Sequence, residues 1–269
     1  MESGDSAFAG SIPAVYDRYL GPALFDPFAA DLARRVADLS VGSVLETAAG
    51  TGRVTQALAR VLPDGVSIIA TDLNQAMLDF AAAQHGATRI SWQQADATEL
   101  PFDDARFDAV VCQFGAMFFP DKPAAYREAL RVLKPSGRFL FNIWDGIEAN
   151  VFAQVTTEAL IALFPDDPPL FLARTPYGHY RTGIVGEALN MAGFRDVAIE
   201  TVELESRLPA ARDLAIGFCQ GSPLRNEIEE RRPGGLAAVT EAVAGAIAAR
   251  LGDGPITGSM RAYVIVAGR

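Results

Sequence analysis

The sequence is poor in sulfur and imidazole, with two cysteines, Cys112 and Cys219, and two histidines, His85 and His179, among 269 residues. Two cysteines cannot build a disulfide framework and fit a reducing compartment. There is no Cys/His cluster for a soft metal, and Asp166-Asp167 lacks the partners of a hard-cation site, so no metal is expected. Basic residues are also scarce. The 23 Lys and Arg stand against 33 Asp and Glu, a net charge of −10. Such a surface repels phosphate backbones and anionic lipid, which disfavours nucleic acid and membrane surfaces as partners. No apolar run approaches the ~18 residues of a spanning helix. Met1-Glu2-Ser3-Gly4-Asp5 carries acids where a secretory signal carries bases, so no membrane span and a cytoplasmic location are expected. No internal repeat or low-complexity tract is present. The chain does have core material: 50% of it is apolar and 21% charged, which excludes disorder and fibrous classes. At about 100–200 residues per domain, one large domain, or a domain with a small lid, is expected.

Periodicity divides the chain. Leu24, Phe25, Phe28, Leu32 and Val36 recur at helical spacing within residues 13–39. Short apolar runs then alternate with helical stretches. The runs are Val41–Leu45, Val66–Thr71, Ile90–Asp96, Phe107–Phe114 and Arg138–Trp144; the helices are expected over residues 53–62, 75–84 and 124–133. That alternation predicts βαβ units and a parallel sheet covered on both faces. After Trp144 the rhythm breaks. Residues 145–180 include Phe164-Pro165-Asp166-Asp167-Pro168-Pro169, too rich in proline for one regular element, and are expected as an insertion over the sheet edge. A helix over 183–191, a strand over 194–203, a largely helical segment over 209–252 and a last strand, Met260–Ala267, complete the reading.

In an open parallel sheet, ligands bind beyond the carboxyl ends of the strands. The first strand ends at Glu46 and runs into Thr47-Ala48-Ala49-Gly50-Thr51-Gly52, where glycines let a ligand approach the backbone. A tight turn without a ligand is the alternative. Asp72 ends the second strand 20 residues after Gly52, where a carboxylate can take both hydroxyls of a ribose, or else cap the following helix. There is no Gly-x4-Gly-Lys-Ser/Thr, so phosphate binding of that kind is excluded.

Five stretches in order carry a family resemblance. They are Val44–Gly52, Asp72–Leu78, Asp96–Phe102, Phe107–Cys112 and Arg131–Arg138. Together they resemble the successive motifs of class I S-adenosylmethionine-dependent methyltransferases, in the branch that includes ubiquinone/menaquinone C-methyltransferases. The resemblance covers a cofactor-binding core of about residues 40–145. It implies a Rossmann-like, doubly wound α/β sheet of seven strands, mostly parallel with an antiparallel edge strand near Met260–Ala267. The chain would be one methyltransferase domain with a helical cap, built from an N-terminal helical lid over about 8–39 and cap insertions over about 145–180 and 205–255. It implies S-adenosyl-L-methionine as cofactor: Glu46 toward the methionine amine, Ala48, Gly50 and Gly52 along the cofactor, and Asp72 on the ribose. Leu73 and Met77 would lie against the adenine, Asp96 and Ala97 would hold its amino group, and Gln113 and Phe114 would sit near the sulfonium. Tyr16, Arg18 and Tyr19 would reach the carboxylate from the lid. Two departures stand out: Ala48 replaces a glycine, and Glu46 a shorter aspartate.

The expected activity is methyl transfer to a small, apolar or aromatic acceptor by direct displacement. His179, beside Tyr177 and Tyr180, is the candidate base at the ligand edge, or a loop histidine bonded to backbone. Tyr177 is a second candidate. His85 reads as a helix-end residue at the wrong edge of the sheet. Phe114, Met117, Phe118 and Phe119 would wall an acceptor pocket or serve as core. A homodimer is compatible with the sequence. One alternative is an NAD(P)-dependent oxidoreductase, whose Gly-x-Gly-x-x-Gly turn would need glycine or alanine where Thr55 stands. The other is a non-catalytic protein that binds S-adenosylmethionine.

Overall fold

The β-branched residues Val44, Val66, Ile68, Ile69, Ile90, Val110 and Val111 fall in the apolar runs and favour strands there. β1 is Gly42–Glu46, β2 Val66–Asp72, β3 Ile90–Gln94, β4 Phe107–Gln113 and β5 Leu133–Trp144. These five are joined in parallel, β2 to β1 and β3, and β4 to β1 and β5. The computed structural model describes residue 10, residues 12–85 and residues 89–269. The start of the expected lid, near residue 8, lies outside the described residues.

Two more strands, β6 (Asp196–Leu208) and β7 (Ile256–Gly268), complete a seven-stranded sheet in the order β3-β2-β1-β4-β5-β7-β6. Arg269 N donates to Gly137 O at 3.2 Å and Asp145 N to Arg261 O at 3.0 Å, so residue numbers fall along β7 as they rise along β5. Glu203 pairs with Arg261, and Gly268 lies against Asp196. β7 is therefore antiparallel to both neighbours. It lies one strand in from the edge expected for it, and β6 forms the edge, because β7 pairs along both of its sides.

The chain divides into two units, one of Phe28–Ile143, Arg181–Val202 and Ala262–Arg269, the other of Met1–Pro27, Trp144–Tyr180 and Glu203–Arg261. In the first unit, α2 (Asp26–Arg34) and α3 (Arg53–Val61) cover one sheet face, where Leu32, Val36 and Leu58 pack with Val44, Ile68, Val111 and Leu140. The alternate residues of β5 face the other way. Phe139 and Phe141 meet Tyr126 of α5 (Lys122–Val132), and Phe139 also stacks on Phe194, with ring centroids 5.5–6.0 Å apart. A fourth helix in chain order, α4 (Gln75–Gln84), joins β2 to β3, and α8 (Thr182–Ala192) packs on α5.

The second unit is mainly helical. It holds α1 (Ile12–Val15), a π-helical stretch over Tyr16–Phe25, α6 (Val151–Leu163), α7 (Phe171–Arg174), α9 (Ala211–Gln220), α10 (Leu224–Arg231) and α11 (Leu236–Leu251). Residues 145–180, expected as part of a helical cap, do hold a helix, α6, of 13 residues. Its prolines, Pro165, Pro168 and Pro169, all follow the helix, so they end it rather than break it. Phe152, Ala153, Val155, Thr156, Ala159 and Leu160 are buried, which supports a helix that is apolar on most sides. Among the described residues no single helix is long and apolar enough to cross a membrane.

Candidate active site

The strand order reverses between β1 and β4: the chain winds outward through β2 and β3, then returns to the other side of β1. In a wound sheet that switch point opens a crevice at the carboxyl ends. Glu46 is the last residue of β1, Asp72 of β2 and Gln113 of β4. Asp96 lies two residues past the end of β3.

The loop after β1 is stitched to both neighbouring strands. Thr47 N donates to Val111 O and Ala49 N to Thr71 O, each at 2.9 Å. Ala48, Gly50 and Gly52 are all left-handed, with φ of 53°, 55° and 83°. For Ala48 that costs roughly 1–2 kcal/mol, so the position where a glycine was expected does adopt a glycine conformation. A side chain at Gly50 would meet nothing within 4 Å, so the loop offers bare backbone there. Gly52 faces the other way, because a Cβ on it would strike Trp92 and His85. The reading of His85 as remote is thereby corrected. It does end α4, yet its ring packs against the glycine loop and its Nε2 lies 3.3 Å from Thr51 O.

Asp72 binds the loop and the next turn together. Its Oδ2 accepts from Gly50 N at 2.8 Å, and its Oδ1 accepts from Asn74 N at 2.8 Å and Asn74 Nδ2 at 3.3 Å. Asn74, not Asp72, holds the N-cap position of α4. A carboxylate has about four acceptor sites, so Asp72 keeps capacity for a further donor. Burial pushes its pKa up, against the hydrogen bonds from Asn74 and Gly50.

Glu46 is 1% exposed. Thr55 Oγ1, on α3, donates to its Oε2 at 2.6 Å, and Thr71 Oγ1 donates to its main-chain oxygen at 2.9 Å. Burial pushes the Glu46 carboxyl up to about 8; the Thr55 hydrogen bond opposes the rise and the Asp72 charge adds to it. Two buried acids thus terminate adjacent strands, an arrangement that favours a cation. Asp96 is exposed, and its Oδ1 accepts from Thr98 N at 2.8 Å and Thr98 Oγ1 at 2.7 Å. Leu73 is 38% exposed, Met77 is buried on α4, and Ala97 is half-buried.

The β4 end is a second strained corner. Gln113 is half-buried, and Phe114 follows it with a φ of 49°. Phe114 N is held by Asn142 Oδ1 at 2.9 Å and by Asn142 O at 3.2 Å. The Phe114 ring meets Phe28 edge-on at 5.3 Å. Phe114 and Met117 are buried, whereas Phe118 and Phe119 are half-buried.

Tyr16, Arg18, Tyr19, Tyr177 and His179 belong to the other unit. There Tyr16 stacks on Phe25 at 4.8 Å, and the Arg18 guanidinium lies 5.2 Å from the Tyr19 ring. Tyr177 is buried and stacks on Trp144 at 5.5 Å, and burial raises its pKa. His179 is half-buried in the segment between α7 and α8. No group of three His, Cys, Asp or Glu that could hold a metal occurs among the described residues.

Two residues of this site escaped the sequence reading. Thr55 was weighed only as a missing glycine. Asn142 had a signal, being a polar residue inside the apolar run Phe139–Trp144.

A methyltransferase-domain family profile matches residues 45–141. Over 108 residues the chain is 40% identical to a demethylmenaquinone methyltransferase of Clavibacter sepedonicus, covering 40% of this chain and 43% of that protein. The match therefore spans less than half of that relative's length. Over 173 residues it is 31% identical to a demethylmenaquinone methyltransferase of Lactobacillus johnsonii, covering 60% of this chain and 70% of that protein. Among solved structures, the [4+2]-cyclase SpnF matches with a TM-score of 0.61 at 20% identity, over 96% of this chain and 92% of that one. At that identity the likeness is one of fold.

Proposed function

This chain belongs to the class I S-adenosylmethionine-dependent methyltransferases, and on that premise we propose that it moves a methyl group from that cofactor to a small-molecule acceptor. The observation that carries the proposal is the pair of buried strand-end acids, Glu46 and Asp72, flanking the bare backbone of Gly50. The donor set fits the cofactor. A buried carboxylate with one hydroxyl partner suits an ammonium group, and a second carboxylate already ordered by backbone suits a vicinal diol. No helix N-terminus has to face a pyrophosphate, because this cofactor has none.

When bound, the cofactor supplies a methyl group on positively charged sulfur, an electrophile that needs no further activation. The work of the chain is then to bind, orient and exclude water. Glu46 takes the amine and Asp72 the ribose hydroxyls. Asp96 and Ala97 hold the adenine amino group, with Leu73 and Met77 against the ring. Gln113 and Phe114 stand at the sulfur end. Direct displacement requires the acceptor nucleophile in line at about 3 Å, so positioning is the main catalytic device. His179 and Tyr177 are the groups to test for removing a proton from the acceptor.

The names of the relatives support a small apolar or aromatic acceptor. The net charge of −10 supports a molecule of that kind over nucleic acid, and a cytoplasmic location is part of the same reading. A homodimer is a compatible assembly, checked by light scattering. The second reading is a chain that binds the cofactor without transferring its methyl group, because a fold does not fix the chemistry it hosts. Transfer of label from methyl-labelled cofactor to any acceptor in a broad library excludes that second reading.

Calorimetry with S-adenosylmethionine and its demethylated product tests the site. Asp72→Ala is expected to weaken both by about 1–3 kcal/mol, because two hydroxyls lose a charged acceptor. Unchanged affinity removes Asp72 from the site.

A further inference from the structure

Asn142 lies where a polar side chain is costly. It is 0% exposed, in a strand whose neighbours Phe139, Leu140, Phe141 and Ile143 are apolar and equally buried. Strand register pairs Gln113 with Asn142 and Glu46 with Val111. Side chains alternate along a strand, so Glu46, Gln113 and Asn142 project from one face at the carboxyl edge.

The amide does one thing there. Its Oδ1 and the Asn142 main-chain oxygen both accept from Phe114 N. Phe114 is left-handed, a conformation that a phenylalanine holds only under constraint. The next residue closes the corner from behind. A Cβ on Gly115 would strike the Ala48 methyl and come within 2.9 Å of Cys112 Sγ. The amide nitrogen, Asn142 Nδ2, is buried without a hydrogen-bond partner. A leucine would carry no such donor, so the residue is ill-chosen for stability alone.

We infer that Asn142 is a positioning residue: it clamps the strained Phe114–Gly115 corner and thereby sets where Gln113 and Phe114 stand at the sulfur end of the cofactor. The inference rests on the methyltransferase reading above. It gives Asn142 no contact with the cofactor. The residue acts through the Phe114 amide.

The test needs no acceptor. Affinities for S-adenosylmethionine, S-adenosylhomocysteine and adenosine are measured by calorimetry on wild type, Asn142→Leu and Asn142→Asp, with circular dichroism as a check on folding. Asn142→Leu is expected to leave adenosine affinity unchanged and to shift the ratio of the two sulfur ligands about fivefold, the equivalent of one lost hydrogen bond. Asn142→Asp keeps an acceptor oxygen and is expected to restore most of that ratio. An equal loss for all three ligands, or a ratio that does not move, overturns the inference. If Asn142→Leu fails to fold, a ratio in Asn142→Asp shifted as far as one lost hydrogen bond overturns it. A wild type that binds neither sulfur ligand overturns the underlying reading instead.

Discussion

Cofactor binding is expected to be tied to pH through Glu46. Its carboxyl is fully buried, receives a hydrogen bond from Thr55 and feels the charge of Asp72; burial dominates and pushes it up to about 8. At pH 7, one unit lower, about nine in ten ligand-free molecules carry that proton. An arriving ammonium group is bound by the ionised form, so binding at pH 7 releases close to one proton. Affinity is then expected to rise about tenfold per unit from pH 6 toward 8, or about 1.4 kcal/mol per unit. Above that the slope reverses, because a free α-amino group has a pKa near 7.7–8.0 and the ligand loses its own charge. The maximum therefore falls near pH 8.

Calorimetry in buffers of different ionisation heat reads the released proton directly. Adenosine, which lacks the methionine α-amino group, is the internal control and should show no such slope, and Glu46→Gln should abolish both slope and release. Stability gives an independent sign. The folded-state pKa of Glu46 lies above its unfolded value, so the folded protein binds more protons than the unfolded chain in the window between them. The stabilisation is complete below the unfolded value and is lost as pH rises toward about 8. The ligand-free melting temperature should fall across that window in wild type and fall less in Glu46→Gln. Affinity that is flat from pH 6 to 8 with no proton released refutes the assignment of Glu46 to the amine.

Two further outcomes follow from the same geometry. Thr55→Val removes the hydrogen bond that opposes the burial of Glu46, so the affinity maximum should move to higher pH in the same calorimetric series. Gly115→Ala should destabilise by about 1–3 kcal/mol, the usual cost of overpacking. Adding Ala48→Gly should recover part of that loss, since the Ala48 methyl is one of the two atoms in the way; thermal melts of the four proteins give the coupling.

The wound sheet was legible because its signals are local. β1, β2 and β4 are runs of five to seven residues with apolar centres, and the acids that end β1 and β2 fall at a spacing that the glycine turn explains. A helical cap over 145–180 was legible but the bounds of α6 were not, since composition there averages a helix with its proline stop signal. The start of β5 at Leu133 was missed for a similar reason, because Lys134-Pro135-Ser136-Gly137 reads as a turn yet lies within the strand. His85 was misplaced because helix direction alone locates a backbone, and not the reach of a ring toward Gly52. Asn142 and Thr55 act on partners fixed by tertiary register, 28 and 9 residues away. No window of sequence reports that pairing.

The same distinction explains where the strain lies. Among the described residues that are not glycine, three have positive φ, and Ala48 and Phe114 follow the two strands that flank the switch point. The backbone there must turn away from the sheet and leave the crevice open, which a left-handed residue achieves in one step. At Gly50 a glycine does this freely. At Ala48 and Phe114 the neighbours impose it: Ala48 is bracketed by the bonds of Thr47 to β4 and Ala49 to β2, and Phe114 is held by Asn142 on β5. The two corners also touch, since the Ala48 methyl fills the space that a side chain on Gly115 would need. Strain at one is therefore supported by packing at the other. The alanine in the glycine loop and the glycine after Phe114 form a matched pair, so the departure at Ala48 is compensated across the crevice.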